Sequence, residues 1–355
     1  MNTAYYDGTK LLSLKDLDGN TPEIYMCTTN RTAGKTTYFS RLLVNSFIKK
    51  GEKFGLIYRY KSEMDNVADQ FFKDINSLFF PEYFMRSVAR TKGLYFELYL
   101  GKKDTEDEET GGKLCGYALA LNDADKIKRY SHLFSDISRL YYDEFQSETN
   151  RYCTNEVEKF QSVHASIARG QSKQWRYVPV FMTSNPVTIL NPYYTQMGIC
   201  ERLKDDTLFL KGHGFVLEKG YVESASKARL ESGVSKAFAN SEYVAYAAQG
   251  VYLNDRKAFL EEIDGRSRYI CTLRYNGRDY AIREYADKGV LYCDNHPDKT
   301  FTTRISVTTD DHSVNYVMLK RNEFLIQNLR FMFDHGAFRF KNLECKQALM
   351  KALSY

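Results

Sequence analysis

Apolar and polar positions follow two different periods along the first two thirds of the chain. Short apolar, β-prone runs alternate with longer stretches in which apolar residues recur every three or four positions. The β-prone runs are Glu23–Cys27, Phe54–Tyr60, Ile137–Tyr142 and Tyr177–Thr183. One helical stretch follows the first run, and another covers Asn155–Arg169. This alternation predicts an α/β domain.

Two further apolar runs flank an acidic segment. Leu94–Leu100 and Leu114–Leu121 have the composition of strands and are predicted to pair as a hairpin. The segment between them, KKDTEDEETGG, carries a run of carboxylates that repel one another. We predict that this segment is a solvated and mobile loop.

The pattern changes after residue 222. Residues 223–254 contain short, Ser- and Ala-rich helical stretches that predict a connector. From residue 255 the sequence predicts a β-meander, with the runs RYICTLRYNG, RDYAIREY and GVLYCD separated by Asn-Gly and Lys-Gly turns. Two helices then close the sequence, and Asn342 is the expected N-cap of the last one.

These patterns predict three parts. They are an α/β domain at 1–222, a helical linker at 223–254 and a small α+β domain at 255–355. The chain has 355 residues, which is more than one hydrophobic core usually organises. Two domains are therefore the natural expectation.

Composition narrows the class of protein. The hydrophobic share of 43% is too high for a disordered chain. No apolar run reaches the roughly 18 residues of a membrane span, and the first residues lack the pattern of a signal peptide. We therefore expect a cytoplasmic protein without a membrane partner.

The seven cysteines form no C-x-x-C pair, which argues against a disulfide framework and a zinc site. The net charge of +5 is a mild excess that fits contact with phosphate over part of the surface.

The strongest chemical signal lies between the first predicted strand and the helix after it. Gly34-Lys35-Thr36 matches the end of the P-loop pattern G-x-x-x-x-G-K-[ST], and Thr29 stands where the pattern has its first glycine. In such a loop the lysine reaches the β- and γ-phosphates and the hydroxyl ligates Mg²⁺. The alternative is a chance match in a surface turn. The predicted nucleotide-binding residues are Thr29, Asn30, Arg31, Thr32, Ala33, Gly34, Lys35, Thr36 and Thr37.

A second signal is the pair Asp143-Glu144 at the end of the run ISRLYYDE. A carboxylate at a strand end downstream of a P-loop is where a Mg²⁺-binding aspartate lies, so Thr36 and Asp143 are the expected metal ligands. Glu144 would then be the general base that activates water. The alternative is an acidic pair that caps the next helix.

Three more residues are weaker candidates. Asn185, at the end of a predicted strand, would hold the lytic water or sense the γ-phosphate, unless it only forms an Asn-Pro turn. Arg169 ends a predicted helix and would stabilise the transition state from a neighbouring subunit, unless it only faces the helix dipole. Lys128 has the same ambiguity.

Longer stretches of the sequence point to a family. They include the P-loop with its internal Arg31, then IYRYK, YDEF, the NEV segment leading to Arg169, and SNPVTILNPYY. In the C-terminal part they are RYNG, GVLYCDNHPDKT and SVTTDD. With these motifs the chain resembles the DNA-packaging ATPases of small short-tailed phages of the phi-29 type.

The resemblance implies a P-loop NTPase domain of the additional-strand, catalytic-glutamate class and a C-terminal domain like a vestigial RNase H-type nuclease. It implies that ATP and Mg²⁺ are the cofactors, bound by Lys35, Thr36 and Asp143, and that Glu144 activates water. Arg169 matches the family's trans-acting arginine finger. Lys128 falls near a second basic residue that acts across the subunit boundary.

The implied function is ATP-driven packaging of viral double-stranded DNA into a preformed procapsid through the portal. The implied assembly is a homo-oligomeric ring, a pentamer by resemblance, at the portal vertex in the host cytoplasm. Some relatives also use a structural RNA there. One alternative is another P-loop DNA translocase or a helicase-like ATPase. A second alternative is a non-catalytic capsid-docking protein that binds nucleic acid and has a decayed P-loop.

Overall fold

The computed structural model describes residues 5–149, 151–169, 174–200, 202–203, 207–239, 241, 244, 259–318 and 322–353. The chain divides into two compact units, Met1–Asn254 and Asp255–Tyr355. Within the described residues, every helix is too short or too polar to cross a membrane.

The first unit is built from strands and helices that alternate along the chain. Its strands are β1 (Ile24–Thr28), β2 (Lys53–Tyr58), β3 (Tyr83–Arg90), β4 (Tyr95–Lys102), β5 (Lys113–Ala120), β6 (Ile137–Asp143), β7 (Val180–Ser184), β8 (Phe209–Gly212) and β9 (Phe215–Lys219). Its α-helices are α1 (Thr9–Ser13), α2 (Lys35–Lys50), α3 (Val67–Phe79), α4 (Glu106–Thr110), α5 (Ala124–Ile127), α6 (Glu156–Ala168), α7 (Pro192–Gln196), α8 (Glu223–Leu230) and α9 (Gly233–Ala237).

The nine strands formed by the described residues of this unit belong to one sheet, in the order β3-β4-β5-β2-β6-β7-β1-β9-β8. The six strands from β5 to β9 in this order run parallel, and β3-β4 and β8 add antiparallel edges. The predicted α/β architecture is therefore confirmed. Strand β7 lies between β1 and β6, so Thr183 pairs with both Cys27 and Asp143.

Helices cover both faces of this sheet, so the central strands are buried on both sides. Residues of β1 alternate between two cores, with Met26 in one and Tyr25 and Cys27 in the other. Phe39 of α2 packs in the core with Tyr25, and Phe160 of α6 packs in the core with Met26. Double-sided burial is why these strands read as continuous apolar runs.

At the edge formed by β3, β4 and β5, the predicted hairpin is confirmed, and the predicted loop between its strands is wrong. The hairpin β4-β5 is present, and β3 extends it to three antiparallel strands. The acidic segment predicted as a loop contains helix α4, with Thr105 Oγ1 accepting a hydrogen bond from the Asp107 amide at 3.3 Å. Carboxylates at residues 106–109 occupy its first turn, where the helix dipole favours negative charge. Helix capping therefore outweighs charge repulsion here.

The second unit contains the predicted meander. Its elements are β10 (Arg268–Tyr275), β11 (Arg278–Tyr285), β12 (Val290–Asp294), β13 (Arg304–Ser306), β14 (Val317–Met318), α10 (Glu323–Asp334), β15 (Phe338–Phe340) and α11 (Leu343–Leu353). The strand order is β14-β13-β10-β11-β12-β15. Asn276 and Gly277 both have left-handed backbones, with φ of 51° and 73°, as a tight hairpin turn requires.

The last helix begins as predicted. The Asn342 Oδ1 atom accepts a hydrogen bond from the Cys345 amide at 2.9 Å, which confirms the N-cap. Helices α8 and α9 lie within the predicted linker, whereas its residues 240, 242–243 and 245–254 lie outside the described residues. The role of this segment as a linker stays a prediction.

Candidate active site

The predicted site residues meet at the carboxyl edge of the parallel sheet. The loop of residues 29–34 joins β1 to α2, Asp143 ends β6, and Asn185 follows β7. Because β6, β7 and β1 are parallel neighbours, their carboxyl ends lie side by side. This edge is where open α/β sheets bind ligands.

The loop after β1 has the backbone shape of an anion cradle. Gly34 has a left-handed φ of 94° and forms the N-cap of α2, a helix of 16 residues. Thr32 also has a left-handed backbone, with φ of 61°, which is unusual for a residue with a side chain. The turn therefore presents the amino end of α2, whose free N–H groups and dipole attract anions.

Thr29 fits the position at which the P-loop pattern has glycine. Its amide donates to the Ser184 carbonyl at 3.3 Å, and it is not among the described residues with a positive φ. A β-carbon placed on Gly220 would lie only 3.0 Å from the Thr29 methyl group. The glycine at position 220 therefore makes room for this methyl group beside the loop.

Two hydroxyl groups hold the Asp143 carboxylate. Thr36 Oγ1 donates to Asp143 Oδ2 at 2.9 Å, and Thr183 Oγ1 donates to Asp143 Oδ1 at 2.5 Å. The Tyr141 hydroxyl lies 2.9 Å from that of Thr183. Thr36 and Asp143 thus form a small oxygen donor set. Such a set fits Mg²⁺, which usually takes one or two protein carboxylates together with water and substrate phosphates.

Lys35 is buried, with 8% of its surface exposed, and points toward the end of β7. Its Nζ atom donates to Asn185 Oδ1 at 2.7 Å. Burial lowers the pKa of Lys35, and the nearby Asp143 carboxylate opposes that shift. The structure therefore brings together the predicted residues Lys35, Thr36, Asp143 and Asn185.

Glu144 lies at a cavity of about 430 Å³ that Thr36 and Asp143 also line. Its backbone is left-handed, with φ of 52°, and its amide donates to Asp143 Oδ1 at 3.0 Å. Desolvation raises the pKa of the Glu144 carboxyl, and the carboxylates of Asp143 and Glu148 raise it further. A carboxyl group with a raised pKa in a cleft is suited to proton transfer.

Arg59, just after β2, fixes the backbone beside Glu144. Its Nη2 atom donates to the Phe145 carbonyl at 3.0 Å and to the Glu144 carbonyl at 3.4 Å. Its Nε atom donates to Glu156 at 2.8 Å. Arg59 was not among the site residues predicted from the sequence. The one available signal was an arginine directly after an apolar strand.

Glu156 is a second residue that the sequence analysis missed. It begins α6, is only 3% exposed, and accepts hydrogen bonds from the Tyr142 hydroxyl at 2.8 Å and the Tyr193 hydroxyl at 3.1 Å. The Cys153 amide donates to it at 3.0 Å. Together with Arg59, these contacts join β2, β6, α6 and α7 behind the cavity.

Replacing Glu156 with glutamine should therefore destabilise the fold. The change leaves the buried Arg59 guanidinium without its charge partner, which costs about 3–5 kcal/mol in comparable buried pairs. Thermal or chemical unfolding measures the loss. The matched control is Glu223→Gln, which removes the partner of Lys227 in an exposed pair and should cost less than about 1 kcal/mol. Equal stability of the two variants would contradict a structural role for the buried pair.

Arg31, inside the P-loop, pairs with Glu148 on the loop after β6. The Asn185 Nδ2 atom also donates to Glu148, at 3.5 Å. On the other side of the loop, the Asn30 side chain exchanges two hydrogen bonds with the Val222 backbone, both at 3.0 Å. These contacts tie the P-loop to the segments on each side of it.

The structure does not bring Arg169 to this site. Arg169 is the C-cap of α6, whose 13 residues span about 20 Å from Glu156. It lies at the amino edge of the sheet, where Arg176 bonds the carbonyls of Ile137 and Ile167. Lys128 is exposed and pairs with Asp125 at 3.1 Å. Neither Arg169 nor Lys128 lines the cavity beside Asp143 and Glu144.

The chain is similar in sequence to proteins that package phage DNA. It is 24% identical over 322 residues to a DNA packaging protein of Bacillus phage phi29, covering 88% of this chain and 87% of that protein. It is 22% identical over 329 residues to a DNA packaging protein of Bacillus phage B103, covering 92% and 93%.

The fold is similar to two solved assemblies. The bacteriophage Phi-29 viral genome packaging motor assembly matches with a TM-score of 0.67 and 22% identity, covering 99% of this chain and 98% of that one. The Phi-28 gp11 DNA packaging motor matches with a TM-score of 0.56 and 14% identity, covering 100% and 99%. The model of the family described as Podovirus DNA encapsidation protein (Gp16) matches residues 2–353. The chain therefore belongs to the Podovirus DNA encapsidation protein (Gp16) family.

Proposed function

We propose that this protein is an ATPase that packages viral double-stranded DNA into a procapsid through its portal. The observation that carries the proposal is the position of Lys35 and Thr36, at the amino end of α2, directly opposite the Asp143-Glu144 pair. This arrangement provides a cradle for a triphosphate, ligands for Mg²⁺ and a base for water. Family membership supplies DNA encapsidation as the work that hydrolysis drives.

The strand order supports the additional-strand, catalytic-glutamate class. Strand β7 separates β1, which leads into the P-loop, from β6, which carries Asp143. Asn185 follows β7 and so lies beside Lys35. In this class the added strand places a polar residue next to the γ-phosphate, and the glutamate after the metal-binding aspartate is the base.

The residues divide the chemistry between them. The P-loop amides and Lys35 hold the phosphates, while Thr36 and Asp143 would hold Mg²⁺, which neutralises phosphate charge when bound. Glu144 accepts a proton from the attacking water, and Asn185 orients the water or the γ-phosphate. Arg59 bonds the main chain of residues 144–145 and so fixes the position of Glu144, the general base.

For the C-terminal unit we propose a vestigial RNase H-like domain. The antiparallel meander β10-β11-β12 with β13 parallel to β10 supports this fold. Strand β10 carries no acidic residue that could hold a catalytic metal. Contact with nucleic acid or the portal is the role we propose for this domain.

Arg169 is proposed to act on the active site of a neighbouring subunit in a homo-oligomeric ring. Its exposure, and its distance from its own Glu144, support a role in trans and not in cis. Lys128 is a second exposed cation proposed for the same boundary. A ring of five at the portal vertex in the host cytoplasm, with or without a structural RNA, is the assembly we propose.

Mixing Arg169→Ala subunits with wild type should reduce ATP turnover more steeply than in proportion to the variant fraction. Each variant subunit would disable its neighbour, and a stalled neighbour would halt the ring. Phosphate release is measured across a series of mixing ratios. Lys50→Ala, which also removes an exposed cation from a helix end, is the matched control and should leave turnover unchanged. A strictly linear loss with Arg169→Ala would contradict a trans finger.

Phosphate release with and without duplex DNA and portal-bearing empty shells tests the function itself. We expect the highest rate when protein, DNA and shells are all present. Stimulation by DNA alone, with strand separation, would favour a helicase-like ATPase. Binding to shells without any hydrolysis would favour a non-catalytic docking protein.

A further inference from the structure

The residues that precede α1 are fixed against the P-loop. The Tyr6 amide donates to the Ala33 carbonyl at 2.7 Å. The Tyr6 ring is buried, and its hydroxyl donates to Glu218 Oε2 at 2.7 Å. These two bonds hold the chain at Tyr5 and Tyr6 along one side of the loop.

The same segment packs on α2. The rings of Tyr6 and Tyr38 meet edge to face, with centroids 5.6 Å apart. A β-carbon at Gly8 would lie 2.6 Å from the Tyr38 ring, so the backbone there is in close contact with α2. Tyr38 and Thr36 are two residues apart on a helix and therefore point in nearly opposite directions. Since Thr36 faces Asp143, the Tyr5–Gly8 segment lies on the opposite side of the amino end of α2.

This geometry fixes the direction in which a bound nucleotide would extend. In the proposed function the γ-phosphate lies near Asp143, Glu144 and Asn185. The base is at the other end of the nucleotide and must leave the cradle on the opposite side, toward Tyr5. The Tyr5 ring stands there, with its Cδ1 atom 3.4 Å from the position of a β-carbon on Gly34. The rest of Tyr5 faces solvent, and 70% of its surface is exposed.

We propose that Tyr5 is a base-binding residue on which the purine of the nucleotide stacks. The inference rests on the proposed ATPase function and adds the residue that recognises the base. A tyrosine offers a flat aromatic face, and bases of any kind stack on such faces. The larger purine rings gain more contact than pyrimidines, which fits ATP as the substrate. Tyr6 then serves as the anchor that keeps Tyr5 at the rim of the loop.

The test compares two probes on the full-length chain. Equilibrium binding of Mg²⁺-ATP and of inorganic tripolyphosphate is measured for wild type, Tyr5→Ala and Tyr5→Phe. Stacking on one aromatic side chain is worth about fivefold or more in affinity. We expect Tyr5→Ala to weaken ATP binding by at least that factor and to leave tripolyphosphate binding unchanged. Tyr5→Phe should bind both probes like wild type, because the aromatic face remains.

A second tyrosine provides the discriminating variant. Tyr221 is 53% exposed and precedes Val222, which bonds Asn30 on the other side of the loop. Tyr221→Ala should leave both affinities unchanged. Loss of ATP affinity in Tyr221→Ala and not in Tyr5→Ala would overturn the assignment. An equal loss of affinity for both probes in Tyr5→Ala would also overturn it, because that result indicates a distorted phosphate cradle.

The two proposals fail separately in this experiment. Lys35→Ala should lose both ATP and tripolyphosphate binding. Unchanged binding of both probes in Lys35→Ala would refute the proposed P-loop function. Unchanged ATP binding in Tyr5→Ala, with both probes lost in Lys35→Ala, would refute only the base-binding role.

Discussion

Replacing Lys35 with alanine is expected to abolish Mg²⁺-dependent ATP turnover. The Lys35 ammonium is the one cation of the P-loop that points to Asn185 beside the metal-binding pair, so it would lie against the β- and γ-phosphates. Loss of a charge-assisted contact to the transition state lowers turnover by about 100-fold or more. Steady-state phosphate release across a range of ATP concentrations measures the effect.

A control separates chemistry from folding in this variant. Lys49→Ala removes an exposed lysine from the other end of α2 and should retain full turnover. The circular dichroism spectra of both variants should match that of wild type. Wild-type turnover in a folded Lys35→Ala protein would remove the P-loop assignment altogether.

Replacing Glu144 with glutamine should block hydrolysis while ATP still binds. Glutamine keeps the shape of the side chain and removes the group that accepts a proton. General bases contribute about 10²–10⁴-fold, so turnover should fall within that range. Binding should persist because Lys35, Thr36 and Asp143 are unchanged. The control Glu106→Gln alters an exposed carboxylate on α4 and should retain turnover.

The pH dependence of turnover gives the same variant a second signature. The base must be deprotonated to act, so the wild-type rate should rise as pH rises through the pKa of Glu144. Desolvation and the neighbouring Asp143 and Glu148 raise that pKa, which places the rise at a higher pH than for an ordinary glutamate. The residual activity of Glu144→Gln should lack this rise. An identical pH profile in both proteins would assign the base to another group.

Local sequence signals located most of the site. Gly34-Lys35-Thr36 after a strand and Asp143 at a strand end are short-range patterns, and parallel strands bring such ends to one edge. The sequence could not show that β7 lies between β1 and β6, because strand order depends on contacts between distant segments. The contact between Lys35 and Asn185 follows from that order.

Long-range packing explains what the sequence analysis missed. Glu156 is defined by partners at positions 59, 142 and 193, which no local pattern connects. Strands β3 and β8 form the two edges of the sheet and are only partly buried, so their sequences mix apolar and polar residues. Tyr5 belongs to no sequence motif, and only its short distance from Gly34 in the structure identifies it as a candidate base-binding residue. The role of Arg169 depends on a second subunit and so lies beyond any single chain.

Hydrolysis at the P-loop is proposed to move DNA into the capsid. Nuclease-protected DNA and released phosphate can be measured together in one reaction that contains protein, ATP, duplex DNA and portal-bearing empty shells. We expect protected DNA to accumulate in step with released phosphate in wild type, and both to fall by about 10²-fold or more with Glu144→Gln. Full protection of DNA by Glu144→Gln, without phosphate release, would contradict this proposal.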